Sequence, residues 1–115
     1  MPYYQRDLAF IHDRGYGLHS DRCAPGILDL LAPVRGGLVL ELGCGSGPLT
    51  RHLLAAGLRV VATDASPDML DLARAALGES AVLPPDELID LLQQRLTALE
   101  EANGRLQAAL ATLVA

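Results

Sequence analysis

An acid inside an apolar run, a glycine-dense turn and a second acid at the end of the next apolar run are the residues here whose types and spacing could do chemistry. LVLEL (38–42) carries Glu41, GCGSG (43–47) follows at once, and LRVVATD (58–64) ends on Asp64. A turn between a strand and a helix start exposes backbone N–H groups and the positive end of the helix dipole. Gly43, Gly45 and Gly47 let a ligand come close to the main chain there. An acid inside a buried strand is poorly tolerated unless it emerges at a site, and a carboxylate at a strand end beside such a turn can accept from vicinal hydroxyls. The spacing departs from the dinucleotide fingerprint G-x-G-x-x-G, because its third small residue would fall on Pro48. Glu41 beside the loop disfavours a pyrophosphate and suits a cationic ligand. A nucleotide ligand and a purely structural glycine turn stay open as alternatives.

The elements that position these residues follow from apolar spacing and from the breakers. Tyr4, Leu8 and Ile11 predict a helix over 3–14 stopped by Gly15 and Gly17. A second helix starts at Asp21 with Pro25 in its first turn and Ile27, Leu28 and Leu31 on one face, and Pro33 closes it. LVLEL reads as a strand buried on both faces. Pro48 opens the next helix and Gly57 stops it. Residues 58–64 form a second strand, Ser66 caps a helix with Pro67 and Asp68 in its first turn, and that helix ends at Gly78. AVL at 81–83 is a candidate third strand. A right-handed crossover places the two main strands parallel and adjacent.

The segment resembles class I S-adenosylmethionine-dependent methyltransferases. LVLELGCGSG is similar to their first motif, and VVATDASPDMLDLARA to their second strand and the helix after it, so the likeness covers residues 38–77. The resemblance implies S-adenosylmethionine as cofactor. Gly43, Cys44, Gly45, Ser46 and Gly47 form the loop, whose glycines would line its methionine and ribose part. Glu41 would meet its amino group, Asp64 would accept from both ribose hydroxyls, and Ala65, Ser66 and Met69 would border the adenine. It also implies a fold larger than 115 residues can hold. The expected fold class is therefore α/β, a truncated Rossmann-like methyltransferase half of two or three parallel strands flanked by helices, with a long C-terminal amphipathic helix. Its parts are a helical preamble (1–37), the cofactor-binding half-domain (38–83) and the helix (84–115).

No catalytic base is named. Methyl transfer is an in-line displacement that needs mainly alignment and exclusion of water, and the family's acceptor residues usually follow a fourth strand. Candidates are thereby confined to His12, Asp13, His19 and the tyrosines, each also readable as a surface or capping residue. His52 reads as solvent-facing, and Cys44 as a small loop residue, although a helix N-terminus could lower its pKa.

Composition narrows the function classes further. The net charge is −5 and all nine basic residues are Arg, spread singly, so no basic stripe exists for nucleic acid. Cys23 and Cys44 read as free thiols, and no Cys/His cluster has metal-ligand spacing. No apolar run reaches the roughly 20 residues of a bilayer span, and the N-terminus lacks a signal-peptide core. The expectation is a soluble, cytoplasmic protein.

The last 30 residues carry a heptad pattern with Ile89, Leu96, Asn103 and Leu110 at a, and Leu92, Leu99, Leu106 and Leu113 at d. Arg95 at g faces Glu100 at the following e of a partner, as in a parallel two-stranded coiled coil. Docking within the chain, or a hairpin at Asn103-Gly104, is the alternative. One edge of LVLEL would lie open without further strands, and self-association is expected, a dimer favoured, or pairing with a partner subunit. Two functions follow: a methyltransferase acting on an unassigned acceptor, small molecules included, or a non-catalytic half-domain that binds cofactor or oligomerises through its tail.

Overall fold

β1 (Leu38–Leu42) and β2 (Arg59–Thr63) form a two-stranded parallel ladder in which Leu38 faces Arg59 and Leu42 faces Thr63. The computed structural model describes residues 5–115; Tyr3 and Tyr4, and with them part of the expected first helix face, lie outside that range. The element order is α1 (Arg6–Tyr16), α2 (Leu18–Leu31), a 3-10 turn (Ala32–Val34), β1, α3 (Pro48–Ala55), β2, α4 (Pro67–Leu77) and α5 (Pro85–Val114). The chain divides into two units, Met1–Pro85 and Asp86–Ala115. The first unit is a Rossmann-like arrangement of parallel strands and crossover helices, and the second is a long C-terminal helix.

The core of the first unit lies on one side of the sheet. Val60 and Ala62 of β2 pack with Leu53 of α3, Leu70 and Ala73 of α4, and Cys44 of the loop, while Ile27, Leu28 and Leu31 of α2 and Val39 of β1 close around them. Two successive right-handed crossovers running in one direction put both helices on the same face of a sheet. Neither crossover helix covers the opposite face of β1, where Leu38, Leu40 and Leu42 are 41–71% exposed. This corrects the reading of LVLEL as doubly buried. An apolar run states that both faces suit a core, and what covers them comes from other elements.

Helix ends follow the expected chemistry where side chains or glycines decide them. Ser66 Oγ accepts from the Met69 amide and caps α4. Gly57 ends α3 at φ +81°, with Gly57 N bonding Leu54 O and Leu58 N bonding Leu53 O, the paired bonds of a Schellman motif.

The N-terminal helices differ from expectation. α1 runs through Gly15, and Gly17, right-handed at φ −60°, is the single residue between α1 and α2. α2 thus starts at Leu18, which leaves Pro25 inside it rather than in its first turn. A proline there lacks the N–H that the Asp21 carbonyl would accept, and the helix tolerates this because α2 packs against α3. On α1 the residue that turns inward is Ala9, at 0% exposure, with Leu8 and Ile11 exposed. A small side chain lets α1 approach α4 closely. The AVL segment makes one parallel bridge, Val82 with Ala62, and no strand. Asn103 and Gly104 do not turn the chain: α5 continues through them as one helix.

Candidate functional site

The glycine loop is held in place by β2. The amides of Gly43 and Cys44 both donate to the Thr63 carbonyl at 2.9 Å, and the Gly45 amide donates to Asp64 Oδ2 at 2.9 Å. The Ser66 amide donates to Asp64 Oδ1, also at 2.9 Å. Each carboxylate oxygen of Asp64 is thus oriented by one backbone donor and keeps a further lone pair. Gly47 N bonds Cys44 O at 3.1 Å. Four of the five loop amides are therefore already engaged within the protein. A phosphate cradle needs those amides free, so the nucleotide-phosphate reading loses four of the five loop donors.

The three glycines have left-handed backbone, at φ +75°, +58° and +89° for Gly43, Gly45 and Gly47. Their surroundings differ. A Cβ on Gly43 would meet nothing within 4 Å, whereas one on Gly47 would lie 2.5 Å from Leu77 Cδ1. Gly43 leaves open space at the mouth of the loop, and Gly47 allows the start of α3 to pass under α4.

Glu41 is half-buried, and the buried Thr50 hydroxyl donates to its Oε2 at 2.6 Å. Burial pushes the Glu41 carboxyl above its ordinary 4.5, and the Thr50 hydrogen bond opposes that rise. An acid whose folded value is raised contributes stability that is complete below the unfolded value and is lost as pH rises through the folded one. Glu41→Gln should accordingly unfold at higher urea than the wild type at pH 7.5, with the gap closing at pH 4; an unchanged gap would show that the carboxyl is not desolvated.

Cys44 lies under the same loop. Burial first, then the charges of Glu41 and Asp64, push its thiol up to about 12, the reverse of an activated cysteine at a helix start. Cys23 is exposed. With Ellman's reagent the native protein should release one fast equivalent, from Cys23, and the second only at the rate of unfolding. Two fast equivalents would contradict the buried thiol.

Of the residues expected beside the ligand, Gly43, Cys44, Gly45, Gly47 and Asp64 come together through this hydrogen-bond network, while Glu41 bonds Thr50 and Ser46 is buried within the loop. Ala65 is exposed next to Asp64. Ser66 and Met69 turn inward: Ser66 caps α4, and Met69, 1% exposed, lies beneath Gly45. Thr50 and Thr63 were not singled out in the sequence. A threonine in the first turn of the helix after the loop, and one closing the strand before Asp64, were the available signals.

The base candidates gather against the end of the loop. His12, Asp13, Tyr16 and His19 line a hollow of about 180 Å³ whose other wall includes Ser46 and Pro48. His52 is not simply solvent-facing, since it meets Asp21 at 2.6 Å, and Arg51 joins the same carboxylate at 3.2 Å. That cluster ties α3 to α2 and holds the Asp21 carboxyl below its ordinary value, chiefly through the His52 hydrogen bond. A larger cleft of about 850 Å³, lined by Arg6, Phe10, Ile11, Asp68 and Leu72 among others, contains none of the loop residues. Among the described residues no group of His, Cys, Asp and Glu could hold a metal ion, and no helix is long and apolar enough to cross a membrane.

The sequence profile of the methyltransferase domain family matches residues 39–114, a span that begins in β1 and takes in the loop, β2 and both helices after it. The chain belongs to this methyltransferase domain family. It is 48% identical over 59 residues to an uncharacterized methyltransferase of Mycobacterium tuberculosis, covering 51% of this chain and 24% of that protein. With the ubiquinone biosynthesis O-methyltransferase of Methylocella silvestris the identity is 34% over 101 residues, 88% of this chain and 34% of that one. With the ribosomal RNA small subunit methyltransferase H of Brucella anthropi it is 34% over 83 residues, 72% and 22%. This methyltransferase domain thus spans between about a fifth and a third of the curated relatives it matches.

Proposed function

We propose that the chain binds S-adenosylmethionine through Glu41, the Gly43–Gly47 loop and Asp64, and so provides the donor-binding part of a methyltransferase. The observation that carries this reading is the Asp64 carboxylate, fixed by the Gly45 and Ser66 amides at the end of β2, with a lone pair left on each oxygen. Two adjacent acceptors at fixed separation match the two hydroxyls of a ribose. Glu41 precedes the loop by two residues, opposite Ala62 in the ladder, and among the described residues the Thr50 hydroxyl is its hydrogen-bond partner. An ammonium placed there would relieve the cost of ionising it. The open space at Gly43 allows close approach to the main chain.

When bound, the donor supplies an electrophilic methyl group on a sulfonium. The chain's own part is to hold the ribose at Asp64, to neutralise the amino group at Glu41, and to present a loop in which four of the five amides are already engaged within the protein. No residue is assigned as general base, and the acceptor is unassigned.

Titration calorimetry with S-adenosylmethionine and S-adenosylhomocysteine tests the proposal. Saturable one-to-one binding of both is expected, weakening as pH falls through the Glu41 folded value, because a protonated Glu41 no longer pairs with an ammonium. Absence of heat at about 1 mM ligand, a range that covers even weak millimolar sites, would sink it and leave the loop a structural turn.

A further inference from the structure

We infer that α5 is a dimerisation helix, pairing with α5 of a second copy of this chain as a parallel two-stranded coiled coil. α5 is continuous from Pro85 to Val114, so the heptad phase set by Ile89 runs through four heptads without a break at Gly104. Its a and d side chains, Ile89, Leu92, Leu96, Leu99, Leu106, Leu110 and Leu113, are 45–82% exposed. Seven large apolar groups in one seam on a 30-residue helix are what a knobs-into-holes partner covers.

Three features select a second copy in parallel register as the occupant. From Leu92 to Leu113 the large apolar residues keep to a and d, the 3.5-residue seam of a coiled coil, with Leu88 at g and Leu91 at c as the exceptions before it, whereas a helix lying on a globular core has a broader apolar face throughout. Arg95 and Glu100 make no ion pair among the described residues. Five residues apart, they lie on different sides of the helix and cannot meet each other. At g and the following e, however, Arg95 of one copy meets Glu100 of the next twice in a parallel dimer. Asn103 takes an a position, where a polar pair across the seam fixes register and favours two strands. The same Asn would be an unpaired amide in an unrelated apolar groove.

Sedimentation equilibrium of the full chain tests this. A mass twice 12.2 kDa is expected, with Leu99→Asp raising the dimer dissociation constant at least about a hundredfold, since it places a charge in the seam. The first unit should keep its fold in that variant, seen as an unchanged one fast thiol equivalent. Asn103→Leu should tighten association and admit species larger than a dimer. Arg95→Glu and Glu100→Arg chains should each associate more weakly than wild type and pair preferentially with one another when mixed, because the mixed parallel dimer alone restores both ion pairs. A monomer at 100 μM overturns the inference, as does a dimer indifferent to Leu99→Asp, a wild-type trimer, or random mixing of the two charge variants. These readouts are of mass, so they stand or fall separately from donor binding.

Discussion

Gly47→Ala should destabilise the first unit by about 2–3 kcal/mol, lowering its melting temperature by roughly 10–20 °C. Two costs combine. At φ +89° an L side chain is strained wherever it points. The added methyl would also lie 2.5 Å from Leu77 Cδ1, with Leu77 Cγ at 3.4 Å and Ala73 Cβ at 3.6 Å behind it. Leu77 lies in the last turn of α4 and its side chain can shift, at a cost of about 1–2 kcal/mol added to the backbone strain. Gly57→Ala separates the two costs, because it has φ +81° and open space around its Cβ. Strain alone predicts a loss of about 1 kcal/mol there. Urea unfolding of both variants decides: equal losses would mean that α3 and α4 do not need the close approach at Gly47.

Asp64→Ala should weaken S-adenosylmethionine binding by at least about a hundredfold, since two hydrogen bonds to a charged acceptor contribute about 1.5–3 kcal/mol each. The same change strips the Gly45 and Ser66 amides of their acceptor. Each buried orphan costs about 1–3 kcal/mol, so the variant is also less stable, and affinity must be measured where circular dichroism shows it folded. Asp64→Asn is the informative companion. Its amide keeps one oxygen for one backbone donor and turns an N–H₂ towards the other, so binding should fall roughly tenfold to a hundredfold with a smaller stability loss. A folded Asp64→Ala protein with wild-type affinity would remove the ribose from Asp64.

The parts of the fold legible in the sequence were those where one residue type is nearly compelled. The loop glycines have left-handed backbone, Ser66 is a capping hydroxyl, and Gly57 closes a Schellman motif. Local chemistry decides each of these. What the sequence concealed depends on what lies across from a residue. Pro25 reads as a helix start in its own neighbourhood, and only packing on α3 explains a helix that passes through it. Val39 and Leu40 are equally apolar, yet one meets α-helices and the other solvent. The bond from Thr50 to Glu41 joins residues nine positions apart through a turn whose shape had to be known first. The position of Asp64 was evident; that its oxygens are each held by a backbone donor was not.

The parallel ladder joins every residue of β1 to a partner twenty-one positions later, and residues 41–69 contain the whole loop-and-acid network. Each link of the ladder closes over twenty-one residues of chain, so the network needs no distant chain segment. During synthesis it is complete once α4 has left the ribosome. From then on a ligand bound there stabilises the nascent chain by mass action. Among the described residues no strand lies beside the other edge of β1, and its backbone groups are a template for one.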